Sequence, residues 1–183
     1  MILAMSIGFK EWALICDALG SGRQSIILRK GGIAEGREGF RFQHPDFLLF
    51  PTLFHEQVAK LKLPPETPLP QLLAGHHTLT YQVHVAWTRD LVDWEQISRL
   101  DPFHLWTPQV IRERFEYDEQ HGISLAFVRV FSLRAPVTFP DEPKYGGCRS
   151  WVNVPDCGET PPSPVLQDAE HAALEASLLA ALQ

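Results

Sequence analysis

The residues best suited to chemistry lie in a basic, glycine-rich segment, 28–44, with the sequence LRKGGIAEGREGFRFQH. Between residues 20 and 43 the chain has five basic and two acidic side chains, although its formal net charge is −6. Glycine lacks a Cβ, so its backbone can approach a ligand closely and its N–H groups can hold an anion. This segment is therefore a candidate anion or phosphate site, with an ordinary solvated loop as the alternative. Its candidate binding residues are Arg29, Lys30, Gly31, Gly32 and Arg41.

A second candidate segment, 143–151, reads PKYGGCRSW and combines aromatic side chains with an arginine and two glycines. An aromatic ring beside an arginine on flexible backbone suits stacking on a base and contact with a phosphate. The alternative is a tight turn whose aromatic residue closes the core. The candidates here are Tyr145, Arg149, Ser150 and Trp151. We expect both segments to line one cleft.

Further candidates are histidines and an arginine outside these two segments. Residues 103–115, FHLWTPQVIRERF, place His104 before a helix that carries Arg112, and the alternative for them is a core aromatic region with surface arginines. His44 and His55 complete the set of candidate ligand-binding residues. The spacing of the eight histidines does not match a metal-ligand pattern, so neither a metal nor a cofactor is predicted.

An alternative function, a metal-dependent phosphodiesterase or nuclease, depends on Lys30 and Glu35. A carboxylate and a lysine at a strand edge can bind a divalent ion and polarise a phosphate. The nuclease pattern E-x-K is incomplete, because Leu28 occupies the position of its acid. The sequence lacks a P-loop, a GxGxxG fingerprint, an HExxH helix and a GxSxG elbow, which excludes the commonest nucleotide-binding, zinc-protease and serine-hydrolase classes.

Composition and net charge indicate which classes of protein and of binding partner to expect. The 183 residues are 45% hydrophobic and 21% charged, which is typical of one globular domain, and the chain lacks an apolar run of the ~20 residues that span a membrane. The net negative charge would repel a long polyanion, so the expected partner is a short or single-stranded nucleic acid or a nucleotide. Three cysteines without a CxxC pair favour reduced thiols and a cytoplasmic location.

The order of the predicted elements favours an α+β fold with a small mixed sheet, because strands and short helices alternate irregularly. Apolar periodicity and turn signals predict helices over 9–19, 53–61, 91–99, 108–115 and 167–182. They predict strands over 25–28, 40–42, 47–50, 79–87, 123–133 and 150–152. The 123–133 strand is expected at the centre of the sheet, because both of its faces are apolar.

The domain prediction is one α+β domain over 1–155, followed by a linker and a helix over 156–183. Residues 155–164 contain four prolines, which is typical of a linker. We expect this C-terminal segment to be dispensable for folding unless its helix covers an apolar face of the domain. The helix is also a candidate contact for a homodimer, and a non-catalytic interaction module of this kind is a third functional alternative.

Four blocks of sequence follow one another over residues 9–154. They are KEWALICDALGSGRQSIILRKGGIAEG, FLLFPTLFHEQ, HLWTPQVIRERF, and an ending of RVFSL followed by YGGCRSWV. Together they resemble the bacterial family called domain of unknown function 1802. This resemblance implies a restriction–modification context and carries no defined activity. The proline-rich linker and the last helix lie outside it.

A second resemblance concerns the end of the predicted sheet. Val128-Arg129-Val130, the Pro136-Val137 turn and Ser150-Trp151-Val152 are similar to the endings of PUA-like domains, including the ASCH and EVE groups. This likeness implies a barrel-like sheet with short flanking helices that binds RNA or modified bases. The leading functional hypothesis is therefore a module that recognises nucleic acid, a modified base or a nucleotide.

Overall fold

The computed structural model describes residues 5–30, 40–156, 158 and 162–183. Within these ranges the strands are β1 Met5–Trp12, β2 Ile26–Arg29, β3 Asp46–Thr52, β4 His76–Leu91, β5 Ile123–Pro140, β6 Trp151–Pro155 and β7 Ser163–Pro164. The α-helices are α1 Ala13–Gly20, α2 Trp94–Ser98, α3 Pro108–Phe115 and α4 Asp168–Ala181. Single 3-10 turns occur at Val58–Lys60, Asp101–Phe103 and Pro143–Tyr145.

The strands form one mixed sheet with the order β2-β5-β4-β3-β1-β6, and β7 pairs with β5. Strands β1 and β3 run parallel, and the other pairs are antiparallel. The α+β class and the mixed sheet are thus confirmed. The sheet is open, which corrects the barrel that the PUA-like resemblance implies: among the described residues, pairing does not join the end strands β2 and β6.

Strand β5 occupies the interior position expected for residues 123–133. It pairs with β4 along one edge and with β2 and β7 along the other. Its residues Leu125 to Val128 are almost fully buried, because helices or neighbouring chain cover both of its faces. The strand continues to Pro140, through the turn that was expected at Pro136-Val137.

The start of the helix predicted over 9–19 is wrong. Residues up to Trp12 form β1, and the helix expected from residue 9 begins only at Ala13. Strand β1 lies between β3 and β6, and the apolar clusters on the two faces of the sheet cover both of its faces: Phe9 belongs to the larger cluster and is fully buried, and Gly8 lies against Phe50 of the smaller one. That coverage removes the apolar–polar alternation by which a half-buried strand is recognised.

Two other predicted elements are wrong. Residues 40–42 do not form a strand; the rings of Phe40 and Phe42 both pack on Phe9 instead. Of the helix predicted over 53–61, only the turn Val58–Lys60 forms. The buried Gln57 side chain bonds the backbone there: its Oε1 accepts from Leu14 N at 3.2 Å and its Nε2 donates to Phe54 O at 3.3 Å. Such side-chain bonds compete with helical ones.

The core lies on both faces of the sheet. On one face, α1 to α4 all contribute to a large apolar cluster, while a smaller cluster on the other face includes Phe50, Phe139 and Tyr145. Neighbouring residues of β3 divide between the two clusters, since Leu48 joins the smaller and Leu49 the larger. This two-sided burial makes β3 and its neighbours the rigid support for the clefts described below.

Helix α4 packs on the large cluster. Leu178 and Leu182 are 0% and 3% exposed, and Trp87 Nε1 donates to Glu175 Oε1 at 2.7 Å. At its start, Arg129 pairs with Asp168. The helix therefore covers an apolar face of the domain, which is the condition under which its removal is expected to be harmful. Among the described residues, we find no helix with the length and apolarity needed to cross a membrane.

Candidate functional site

The basic segment contributes to a cleft beside the start of β5, which we call the Arg41 cleft. Its volume is about 220 Å³, and its lining includes Arg29, Lys30, Phe40, Arg41, Asp90, Asp118, His121 and Ser124. Three basic side chains thus share this cleft with two carboxylates, which weakens the positive potential that the sequence suggested.

Two of these basic side chains already have partners within the protein. Arg29 donates to Lys10 O and lies 4.8 Å from the centre of the Phe9 ring. The Lys30 ammonium lies 2.9 Å from Asp118 Oδ1 and also bonds a backbone carbonyl. Arg41, in contrast, is exposed and has no hydrogen-bond or ion-pair partner in the described part of the chain. Arg41 is therefore the cation of this cleft that is available to a ligand.

The segment around Trp151 forms a second cleft, which we call the Trp151 cleft. Its volume is about 380 Å³, and it is lined by Ile7, His44, Lys144, Arg149, Trp151, Val152 and Asn153. None of these described lining residues carries a carboxylate. Arg149 is exposed and, within the described ranges, has no hydrogen-bond or ion-pair partner. Lys144 lies 3.0 Å from Glu142, so Arg149 is the principal free cation here.

An aromatic cluster holds the Trp151 ring in place. Its centre lies 4.8 Å from that of Phe9, 5.3 Å from that of Phe47 and 5.0 Å from that of His44. Residues Phe9 and Trp151 are also register partners in the β1–β6 ladder. Because Trp151 is only half-buried, it forms a preorganised wall of the cleft.

Lys10 strengthens the positive field near Arg149. Its Nζ donates to Gly147 O at 3.1 Å, and burial, followed by the like charge of Arg149, lowers the pKa of this lysine. An anion placed at Arg149 would relieve the repulsion between these two cations.

The two clefts are neighbours but remain separate. Phe40 lines the Arg41 cleft, and its ring lies nearly parallel to Trp151 with 6.0 Å between the ring centres. The described lining residues of the two clefts do not overlap. The sequence predicts one cleft, whereas the structure has two neighbouring clefts with the Phe40–Trp151 ring pair between them.

Several candidates lie outside both clefts. Tyr145 is 4% exposed and packs 5.0 Å from Phe139, so its ring serves the core. Ser150 adjoins the Trp151 cleft, and its carbonyl accepts from Lys10 N at 2.8 Å. His55 is an exposed residue of the loop after β3, and Arg112 lies 4.4 Å from the Trp94 ring on α3.

His104 is a core residue. Its side chain packs 5.7 Å from the centre of the Trp106 ring, and only 4% of the residue is exposed. Burial, with the nearby Lys62 charge acting in the same direction, lowers the pKa of His104 to about 3. The imidazole is therefore neutral at physiological pH and does not contribute charge to a ligand site.

Gly31, Gly32 and Glu35 lie outside the described residues. The metal-dependent alternative, which needs Glu35, consequently stays a prediction. In the part of the chain that the structure describes, we find no group of three or more His, Cys, Asp or Glu side chains that could hold a metal ion.

Asn153 and Lys144 are lining residues that the sequence analysis missed. The alternation in β6 could have identified Asn153: Val152 and Val154 are buried, whereas Asn153 lies beside Trp151 on the opposite face. Lys144 carries no such signal, because the turn Pro143–Tyr145 alone determines its direction.

A family model described as domain of unknown function (DUF1802) matches residues 8–177. The chain belongs to this family. The DUF1802 match extends beyond residue 154 into α4, so the linker and most of the last helix lie within the family region and not outside it. No curated protein matches the chain significantly.

Two solved structures of mutant ZmASCH proteins from Zymomonas mobilis are similar to this DUF1802 chain. One has a TM-score of 0.48 at 11% identity and covers 93% of this chain and 94% of that chain. The other has a TM-score of 0.47 at 13% identity and covers 93% of this chain and 96% of that chain. At this level of similarity, neither structure bears on what this chain does.

Proposed function

We propose that this chain recognises nucleic acid or a nucleotide through the Trp151 cleft. One observation carries the proposal: in a protein with a net charge of −6, the described lining of this cleft contains an indole and a free arginine but no carboxylate. The nearby Glu142 is paired with Lys144, and no lining carboxylate among the described residues would repel a phosphate, which favours an anionic ligand with a flat ring.

Arg149 would contact the phosphate. A guanidinium presents several N–H groups in one plane and matches two phosphate oxygens at once. Lys10 and Lys144 add positive field, although each already bonds an acceptor of the protein. Because only Arg149 is free, we expect one strong phosphate contact in this cleft.

The base would stack on the half-buried Trp151 ring, with the imidazole of His44 beside it. His44 stands at 73° to the indole plane, so the two rings form adjacent walls of one corner. The Asn153 amide can both donate and accept at a base edge. A cleft of about 380 Å³ lies within the roughly 300–1,000 Å³ usual for ligand pockets, which suits one nucleotide unit.

The neighbouring Arg41 cleft would bind the next part of a strand. Arg41 lies beyond the Phe40–Trp151 stack and lacks a partner in the described residues, so a chain that extends past Phe40 would meet a second cation. A long duplex remains unfavourable, because the rest of the acidic surface would repel its phosphates. The favoured ligand is a short single strand.

The experiment is a fluorescence-anisotropy titration of labelled single-stranded oligonucleotides at two salt concentrations. The variants are Trp151→Ala, Arg149→Gln and Arg41→Gln, with Arg134→Gln as the matched control. Arg134 is also exposed and partnerless within the described ranges, and it lines neither cleft.

Arg149→Gln should lower the salt slope by about one, and Trp151→Ala should cost about 1–3 kcal/mol of stacking. Arg41→Gln should weaken binding of an oligonucleotide but not of a mononucleotide. Circular dichroism would verify that the variants are folded. Absence of binding by the parent at low salt would refute the proposal, as would equal losses for Arg149→Gln and Arg134→Gln.

A further inference from the structure

A third cleft lies at the end of β1, on the side of α3, and we call it the Trp12 cleft. Its volume is about 320 Å³, and Trp12, Val110 and Tyr117 form its apolar wall. Trp12 is fixed by an edge contact with Phe54, with 4.9 Å between the ring centres, and Val110 belongs to the core. Tyr117 is 58% exposed. A large exposed ring above a buried apolar floor is suited to a flat ligand.

The polar lining of the Trp12 cleft is predominantly basic. Lys30, Lys60 and Arg114 supply three positive charges, and Glu113 supplies one negative charge. Lys30 is paired with Asp118, whereas the Lys60 side chain has no hydrogen-bond or ion-pair partner in the part of the chain described. Lys60 and Arg114 are therefore the cations best placed to contact an anion.

Arg114 is held rigidly at the back of this cleft. Its Nη1 donates to Leu28 O at 2.8 Å. Its guanidinium carbon lies 5.2 Å from the centre of the Trp12 ring and 4.5 Å from that of Trp106. Because its guanidinium is already fixed between two indoles, Arg114 loses little additional conformational freedom when it binds a ligand.

Behind Arg114, the described part of the interior contains more positive than negative charge. Glu11 has a fully buried side chain, and its Oε2 lies 4.0 Å from Arg29 Nε. Among the described residues, Glu11 is the one ion-pair partner of Arg29, and Arg114 has no ion-pair partner; the charge of Glu11 acts on Arg114 from a longer distance. Glu11 Oε2 and Arg29 Nε also lack hydrogen-bond partners there.

An uncompensated charge in this position is costly, because half-buried cations lose hydration. Burial lowers the pKa of Arg114 to about 10, with Glu11 opposing the shift and Arg29 adding to it. Arg114 nevertheless stays protonated at physiological pH. The surplus positive charge is therefore present when a ligand arrives, and a bound anion would compensate it.

We propose that the Trp12 cleft binds a small organic anion, namely a flat ring that bears a carboxylate or a phosphate. The ring packs against Trp12 and Tyr117, and the anionic group contacts Lys60 and Arg114. Neither Trp151 nor Arg149 lines this site, so it is distinct from the Trp151 cleft, although Lys30 borders both it and the Arg41 cleft.

The test is isothermal titration calorimetry with phenyl phosphate and benzoate, which share the ring and differ in the anion. Benzyl alcohol and inorganic phosphate each lack one half of the proposed ligand. Lys60→Gln and Tyr117→Ala alter partly or largely exposed side chains, so both variants should fold. Arg134→Gln, which is outside the cleft, is the charge-matched control.

We expect at least one ring-bearing anion to bind, and Lys60→Gln to weaken it about tenfold through loss of one charged contact. Tyr117→Ala should weaken binding as well, whereas Arg134→Gln and Trp151→Ala should not. The stronger of the two anions would identify the acid group that the site prefers.

Three results would overturn this inference. The first is absence of binding by the parent at millimolar phenyl phosphate and benzoate. The second is equal affinity for inorganic phosphate and phenyl phosphate, which would remove the role of the ring. The third is a loss of binding in Trp151→Ala but not in Lys60→Gln, which would place the anion in the Trp151 cleft.

Discussion

Protonation of His104 should couple the stability of this protein to pH. The pKa of His104 is about 3 in the folded state, against 6.5 for an ordinary histidine. As the pH falls below 6.5, His104 therefore binds a proton in the unfolded chain but not in the folded protein. The stabilising effect of the neutral imidazole is complete above pH 6.5 and is lost progressively as the pH falls toward 3.

The loss of stability depends on how far the pH lies below the pKa of His104 in the unfolded chain. Each pH unit below 6.5 lowers the free energy of unfolding by about 1.4 kcal/mol, so the loss between pH 7 and pH 5 is about 2 kcal/mol from this residue. Other groups also titrate in that range. A His104→Gln variant isolates the contribution, because glutamine stays neutral at every pH.

The assay is urea unfolding followed by tryptophan fluorescence at pH 5, 6 and 7. The His104→Gln variant should lose about 2 kcal/mol less than the parent between pH 7 and pH 5, whatever its absolute stability. His55→Gln, which removes an exposed imidazole, is the matched control for the substitution itself. Parallel slopes for the parent and His104→Gln would refute the reasoning.

Four further predictions concern the packing of individual elements of the fold. Gly20→Ala should destabilise the protein by about 1–3 kcal/mol in urea unfolding, because an added Cβ would lie 2.1 Å from the Tyr81 ring. Thr107→Ala should cost about 0.5–2 kcal/mol in the same assay, since the Thr107 side chain caps α3 by accepting from Val110 N. Leu178→Ala should lower the free energy of unfolding by about 2–5 kcal/mol. Deletion of 156–183 should produce aggregates in size-exclusion chromatography, and a monomer with the parental melting temperature would contradict the packing of α4.

Local patterns in the sequence were sufficient for some elements. Thr107-Pro108 predicts the start of α3, because the cap and the proline act within one turn. The two-sided apolar run of 123–133 predicts the interior position of β5. Strand β1 could not be predicted in the same way, since its partners β3 and β6 and the residues that cover its two faces are distant in sequence.

The candidate site was predictable to a similar extent. Trp151 and Arg149 were found because an aromatic residue and an arginine occur in one short glycine-containing segment. The sequence predicts that Lys30 is free to bind a ligand, whereas in the structure it is paired. Its partners, Asp118 and the Gln120 carbonyl, could not be identified because they come from a turn far along the chain. The Trp12 cleft is not predictable from the same pattern, because apolar spacing favours a helix over 9–19, whereas Trp12 ends β1.

The central claim, that nucleic acid binds at the Trp151 cleft, is tested most directly by fluorine NMR of protein labelled with 5-fluorotryptophan. The chain has five tryptophans, and single Trp→Phe variants would assign their signals. Addition of a short single-stranded oligonucleotide at low salt should shift the Trp151 signal most and leave that of Trp94 in place. A titration that leaves Trp151 unchanged, or shifts only other tryptophans, would contradict the account.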